Sequence, residues 1–377
     1  MARRRWRGRF ATALVAFFGS LLLAEIAIRG LGVEVPPSLY RLDPDVGDTL
    51  APGAEGWWTR EGRAYVRISS QGLRDEEHAI PKPLGTIRIV LLGDSFAEAL
   101  QVDQRETFWS ILERDLASCP VLAGRPVEVV NLGVSGYGTD DAIDVLRRYG
   151  PSLEPDLVLL FFCVANDFEN NLFDGRCRRD GAGVVCDPPA RPTTRQLAFA
   201  HAKSWLSSHS ELYQALQASA TSPWWQRLGL RAAVPLAVAT AKPFGPELFV
   251  VPPSPRVASA IDLTGGLLRT LRDAASELGA PLWLVILPTR EQVEDEAWTR
   301  FAGDAPGAVR DEPERALTAI AAPLDIPVID PLPALRSRAA AGDRAYWRID
   351  AHFTAVGHAT TARLVADVLL ASEGRPR

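Results

Sequence analysis

The stretch "TIRIVLLGDSFAEAL", Thr86 to Leu100, constrains the fold more than any other part of the chain. Ile87, Ile89, Val90, Leu91 and Leu92 form a dense apolar run, the mark of a parallel strand covered by helices on both faces. The run stops abruptly at Gly93, Asp94 and Ser95. Open α/β sheets gather ligands at the carboxyl ends of their strands, so a serine delivered there has two readings. It is a cap at an ordinary strand-to-helix turn, or it is a nucleophile.

Four further short apolar runs, Val127–Leu132, Leu157–Cys163, Leu282–Leu287 and Pro327–Ile329, alternate with helical patterns. This alternation predicts an α/β fold, a three-layer α/β/α sandwich around a central parallel sheet of about five strands. Phe108, Trp109, Ile111, Leu112 and Leu116 fall at helical spacing, behind a potential capping box at Asp103-x-x-Glu106 that sets the expected start of the first helix after Ser95. A last helix is expected over about Ala355 to Leu370, capped by Thr354, with Leu364, Val365, Val368 and Leu369 on its buried stripe. Residues 33–85 are rich in Pro, Gly and charge and read as a linker and extension, with one short strand in "EGRAYVRISSQGLRD". The sandwich then occupies 86–377 and carries an insert at about 170–279, far longer than the usual ~4–6-residue connection. That insert, with Trp205, Trp224 and Trp225, is either a cap over a pocket or a surface elaboration.

With 377 residues, 47% of them hydrophobic, the chain has ample material for a large core, and disorder is excluded. A net charge of −5 without a broad basic stripe argues against nucleic acid. The one basic cluster opens the chain: "MARRRWRGRFATALVAFFGSLLLAEIAIRG" places five arginines before an apolar run from Phe10 to Ile28 in which Glu25 is the one charged residue. Such a run approaches the ~20 residues needed to cross a bilayer. Residues 1–32 therefore read as a cytoplasmic stub and signal anchor, positive end inside, with the rest of the chain on the outer side of the cytoplasmic membrane. Secretion after signal cleavage is the alternative. Cys177 and Cys186 bracket "RRDGAGVV", a segment with hairpin character, and a disulfide is expected there in an oxidising compartment. Cys163 is expected to be buried in a strand, and Cys119 follows a helix. No CxxC or His pair stands near Cys177 and Cys186, so no metal site is expected.

Three other blocks end strands or precede the last helix: "VVNLGVSGYGT", "FFCVANDFEN" and "RIDAHFTAVGHATTA". They would converge on one sheet edge with Ser95. A serine needs an adjacent base, usually a histidine held by a carboxylate, and Asp350 and His352 offer that pair. A tetrahedral intermediate needs donors aimed at its oxyanion; the backbone N–H groups of Ser95 and Gly136 and the side-chain amide of Asn166 can supply three.

These four blocks resemble the SGNH (GDSL-like) hydrolase superfamily, whose name lists the Ser, Gly, Asn and His they carry. The resemblance covers about Thr86 to Leu370 and implies Ser95 as nucleophile, Gly136 and Asn166 as oxyanion donors, His352 as base and Asp350 as its orienting carboxylate. Two positions depart from the family pattern: Ala165 replaces the usual glycine before Asn-Asp, and Asp350-x-His352 is one residue shorter than the usual Asp-x-x-His. No G-x-S-x-G elbow occurs, which argues against the α/β-hydrolase fold. His358, inside the last helix, is the expected decoy, and His78, His201 and His209 have no supporting block. The resemblance implies a cofactor-free esterase acting on an ester-bearing small molecule, carbohydrate or lipid. An O-acyltransferase that modifies an exported polysaccharide, and a non-catalytic glycan- or lipid-binding envelope protein, are the alternatives.

Overall fold

A computed structural model describes residues 2–32, 38–59, 61–119, 122, 124–173, 175–181, 183–189, 191–220, 244–303, 305–349 and 351–373. The chain opens with helix α1 (Ala2–Leu31), followed by two hairpins, β1 (Tyr40–Asp43) with β2 (Gly47–Leu50) and β3 (Glu55–Trp58) with β4 (Ala64–Arg67). Then come β5 (Ile87–Leu92), α2 (Ser95–Glu98), α3 (Phe108–Ala117), β6 (Val127–Asn131), α4 (Thr139–Leu153), β7 (Leu157–Cys163) and α5 (Asp167–Phe173). A third hairpin, β8 (Cys177–Asp180) with β9 (Gly183–Cys186), leads to α6 (Thr194–His209) and α7 (Glu211–Ala220). The remainder is α8 (Pro255–Glu277), β10 (Leu282–Leu287), α9 (Arg290–Val293), α10 (Asp295–Ala302), α11 (Glu312–Ala321), β11 (Val328–Ile329), α12 (Leu332–Ala340) and α13 (Ala355–Glu373).

The central sheet has the order β11-β10-β7-β5-β6, with every pairing parallel. Strand side chains alternate between faces, and β5 divides its residues accordingly. Ile89 and Leu91 join a core with α3, α12 and α13, while Val90 and Leu92 join one with α4, α8 and α11. Burying each such side chain contributes roughly 1.5–3 kcal/mol. The expected helix face of Phe108, Trp109, Ile111, Leu112 and Leu116 is buried throughout. After β5 the chain adds β6 on one side and β7 on the other, so the loops behind these three strands open a crevice at the point where strand order reverses.

Arg88, inside the apolar run of β5, is fully buried. Its guanidinium meets Glu128 at 2.6 and 2.8 Å, the Leu153 carbonyl at 2.9 Å and the Ala79 carbonyl at 2.8 Å. A buried charge is tolerated when paired and hydrogen-bonded in this way, and this one ties the first strand to its neighbours at the end away from Ser95.

Two expectations about organisation need correction. The described part of 33–85 holds two hairpins rather than a single strand, with Arg74 fully buried and donating to the carbonyls of Ala99 (2.9 Å) and Val102 (2.6 Å). β4 lies in the stretch expected as a strand, whereas β1, β2 and β3, of four residues each, did not stand out from the Pro- and Gly-rich sequence around them. The end of the expected insert is α8, whose Leu263, Leu267, Leu268 and Leu271 are core, because a parallel β7-to-β10 connection requires a crossover element over the sheet. Cys177 and Cys186 form the expected disulfide across β8 and β9. Cys163 is buried and Cys119 half-buried, both free. Trp205 is exposed on α6, whereas Trp224 and Trp225 lie outside the described residues. Helix α1 contains a 20-residue segment, Thr12–Leu31, long and apolar enough to cross a membrane, with mean hydropathy 1.9 and no residue fully buried in the protein.

Gly133, just past β6, meets the turn that carries Ser95. A Cβ there would stand 2.3 Å from the Cβ of Ala97 on α2. Gly133→Ala is therefore expected to lower the urea midpoint, by about 1–3 kcal/mol of stability; an unchanged midpoint would show that α2 yields freely.

Candidate active site

At the end of β5 the Asp94 carboxylate accepts the Phe96 N–H through Oδ1 (2.9 Å), capping a one-turn helix whose first residue is Ser95. The first helix after the strand thus begins at Ser95 itself, not at the Asp103 box. Asp103 leads only a 3₁₀ turn, Gln104–Glu106, without a side-chain cap, and α3 begins after Thr107. Capping and presentation of the serine are combined, since Asp94 supplies the cap and leaves Ser95 free to face the crevice.

Ser95 Oγ lies 2.8 Å from His352 Nε2. The imidazole packs 4.9 Å, centroid to centroid, from the Phe96 ring. His352 sits on a short antiparallel turn, where Trp347 N–H donates to the His352 carbonyl (2.8 Å) and Thr354 N–H to the Ala345 carbonyl (2.9 Å). Thr354, the expected cap of the last helix, donates its hydroxyl to the Arg344 carbonyl at 2.6 Å. Asp350, the expected partner of His352, lies outside the described residues.

Two groups hold this turn from outside. The Glu61 carboxylate, between β3 and β4, accepts the N–H groups of Arg348 (3.0 Å) and Ile349 (2.8 Å). Arg290, leading α9, donates to the Arg348 carbonyl at 2.6 Å. Gly62 lets the hairpin come this close: a Cβ there would stand 2.1 Å from the Gln101 carbonyl oxygen. Nothing in the local sequence marks Glu61, because its partners are backbone groups nearly three hundred positions away.

Asn166 follows β7, and its Nδ2 donates to Asp94 Oδ2 at 3.0 Å. Asp94 therefore grips both the serine turn and the Asn166 amide. Burial pushes the Asp94 carboxyl up, while hydrogen bonds from Phe96 and Asn166 and the nearby His352 oppose the rise. Asp167 is also buried, is pushed well up by burial and by Asp94, and accepts the Cys163 N–H at 2.8 Å.

Gly136 is exposed, has φ +89°, and has open space where a Cβ would stand. The residue before it is anchored by Glu98: the Ser135 N–H donates to Glu98 Oε2 (2.9 Å), the Ser135 hydroxyl bonds the same oxygen, and the Tyr40 hydroxyl reaches it at 3.0 Å. Glu98 is fully buried on α2. Burial raises its pKa, against those hydrogen bonds and the charge of Arg74. An acid at the fourth position of an apolar "SFAEAL" was the signal that could have found it.

His358 is buried and distinct from the pair. Its Nδ1 accepts the Phe108 N–H at 3.3 Å, and burial lowers its pKa to about 3.

The sequence matches the family model of the GDSL-like Lipase/Acylhydrolase family over residues 91–360, and the chain belongs to that family. It is accordingly a hydrolase acting on ester bonds, and Ser95, Gly136, Asn166 and His352 all lie within the matched span. Among solved structures, it is similar to TesA (14% identity, 75% of this chain and 97% of that one, TM-score 0.38). It is similar also to the lipase/acylhydrolase from Enterococcus faecalis (16% identity, 76% and 96%, TM-score 0.36). A third is the acetyl xylan esterase AlAXEase (12% identity, 75% and 100%, TM-score 0.40). No curated protein matches the sequence significantly.

Two predictions arise from this geometry. Because the His358 pKa is about 3 in the fold against an ordinary 6.5, the unfolded chain binds a proton between those values that the folded chain refuses. Its contribution to stability is complete above about pH 6.5 and is lost as pH falls toward 3, by up to about 1.4 kcal/mol per unit. His358→Gln should show a smaller loss of urea stability between pH 7 and pH 5 than the wild type; parallel losses would refute the assignment. Separately, Glu61→Ala should speed hydrogen exchange at the Arg348 and Ile349 amides several-fold while leaving the β5 amides unchanged. Unaltered exchange at 348 and 349 would show that Glu61 does not hold the turn.

Proposed function

We propose that Ser95 is the nucleophile of an extracytoplasmic esterase, with His352 as its base and Asp350 as the carboxylate that orients the imidazole. The observation that carries this reading is the 2.8 Å contact between Ser95 Oγ and His352 Nε2, within the reach proton transfer requires. As Oγ attacks the acyl carbon, Nε2 takes the hydroxyl proton and the carbonyl π pair moves onto oxygen. The Ser95 and Gly136 N–H groups and the Asn166 amide, one hydrogen of which Asp94 holds, receive that negative charge. Collapse breaks the bond to the leaving alkoxide, to which His352 returns the proton. The same imidazole then activates the acceptor that releases the acyl group from Ser95.

Helix α1 serves in this reading as an anchor, with the sandwich on the outer side, where the Cys177–Cys186 disulfide is chemically at home. The substrate is then an ester on a cell-envelope carbohydrate or lipid. Water as acceptor makes an esterase; a sugar hydroxyl makes an O-acyltransferase. A protein that only binds glycans or lipids in the same crevice would have no use for the Ser95–His352 contact.

The test uses a fluorophosphonate probe and an acetyl ester, with and without a carbohydrate acceptor. The wild type should label at Ser95 and release acetate; Ser95→Ala should do neither, and Asn166→Ala should lower kcat by about 100–1,000-fold. Full activity of Ser95→Ala, or failure of the folded wild type to label, would overturn the reading. Acetyl transfer to the added carbohydrate would identify the acceptor as a sugar.

A further inference from the structure

Helix α6 turns apolar side chains away from the protein. Its half-buried positions Leu197, Ala200 and Lys203 repeat at helical spacing and mark the side that packs on β1. Lys203 on that side lies near enough to Asp48 of β2 to oppose the burial-driven rise of its carboxyl pKa. The other side presents Phe199, 72% exposed, Trp205, 60%, and Leu206, 39%, with Ala198 and Ala202 also exposed among them. With the described residues in place these side chains stay exposed, Trp205 with its ring stacked on His209 at 4.7 Å, and such an apolar helix face suits a contact with an apolar surface.

The junction between α6 and α7 is locked to α1. The Glu25 carboxylate accepts the Ser210 hydroxyl (2.8 Å) and the N–H groups of Glu211 (3.0 Å) and Leu212 (2.9 Å), so the one acid of the apolar run caps a helix of the insert. Arg29 binds Glu25 at 2.7 Å and the His209 carbonyl at 3.0 Å. Glu25 precedes Leu31 by six residues, a rise of about 9 Å. The end of α6 is thereby held level with the last two turns of the apolar segment, at the depth where Trp side chains and interfacial helices settle. Charge agrees: Arg195 is exposed on α6, which has no acidic residue, in a chain of net charge −5, while Lys203 is turned inward toward Asp48.

We propose that α6 lies on the outer surface of the bilayer that α1 enters, with Phe199, Trp205 and Leu206 at the headgroup–acyl boundary and Arg195 toward anionic lipid phosphates. This rests on the reading of α1 as a membrane span. A lipid surface fits better than a protein partner because the lock to α1 sets the depth of the exposed aromatics.

The full chain with Cys119→Ser, carried in nanodiscs of phosphatidylcholine and phosphatidylglycerol, provides the test. An environment-sensitive fluorophore is attached in turn at Leu21→Cys, Phe199→Cys and Leu84→Cys, the last fully exposed. Nitroxide lipids labelled on the headgroup or the acyl chain are the quenchers. Acyl nitroxide should quench position 21, and headgroup nitroxide should quench position 199 several-fold more than position 84. Omitting phosphatidylglycerol should weaken quenching at 199 and not at 21. Quenching at 21 with none at 199 overturns the proposal and leaves the anchor standing, the result expected if a protein covers α6. No quenching at 21 overturns both. Equal quenching at 199 with and without anionic lipid overturns the role of charge.

Discussion

The candidate site depends on the two oxygens of one buried carboxylate. Asp94 Oδ1 caps the turn that begins at Ser95, and Oδ2 holds the amide of Asn166. These residues come from different strands, β5 and β7, adjacent at the point where strand order reverses. A buried carboxylate is costly unless its oxygens are hydrogen-bonded, and both of these are. The serine turn and the Asn166 amide are thereby fixed to each other through about two bonds rather than through the packing of whole helices, the rigidity that preorganised charge stabilisation demands.

Segments outside the matched family span complete the frame. Tyr40 and Ser135 converge on Glu98, which joins the Gly136 loop to α2. Arg74 fixes the far end of α2 through the carbonyls of Ala99 and Val102, and Glu61 holds the turn that leads to His352. The contacts of Tyr40, Glu61 and Arg74 each join a side chain of residues 38–85 to a backbone group or a buried acid of the sandwich. Leu39, Val46, Leu50, Val66 and Ile68 of the same segment are buried in the core shared with Val90 and Leu92, and the polar bonds add direction to that apolar attachment.

The parts of this arrangement that were legible in the sequence are those set by periodicity and those carried by the four motif blocks. The strands around Ile89, Val129, Leu160 and Leu284 and the buried face of α3 followed directly from apolar spacing. Ser95 and His352, placed in the crevice by four separate blocks, were brought within 2.8 Å. The start of α2 was misread because Asp94 caps at a tight turn that leaves no helical period to detect, whereas Asp103-x-x-Glu106 has the right letters and leads only a 3₁₀ turn. Glu61 and Tyr40 were illegible because side-chain-to-backbone and cross-domain bonds leave no period at all. Arg88 was passed over because a buried cation is recognisable only once Glu128 is seen beside it.

The hairpin strand β1 touches both α2 and α6. Tyr40, which opens it, donates to Glu98 on the turn that begins at Ser95, and α6 packs on the same strand. About nine residues separate Leu31 from Tyr40, so β1 lies within about 30 Å of the carboxyl end of α1 whatever path the chain takes between them. With α1 as a span, the serine turn is held one strand away from the membrane surface, and the short connection prevents the sandwich from ranging far into the surrounding solution. An ester presented at that surface, on a lipid or on a glycan attached close to it, meets the crevice at high effective concentration. The proposed surface-bound ester would gain from such tethering, whereas a freely diffusing one would not.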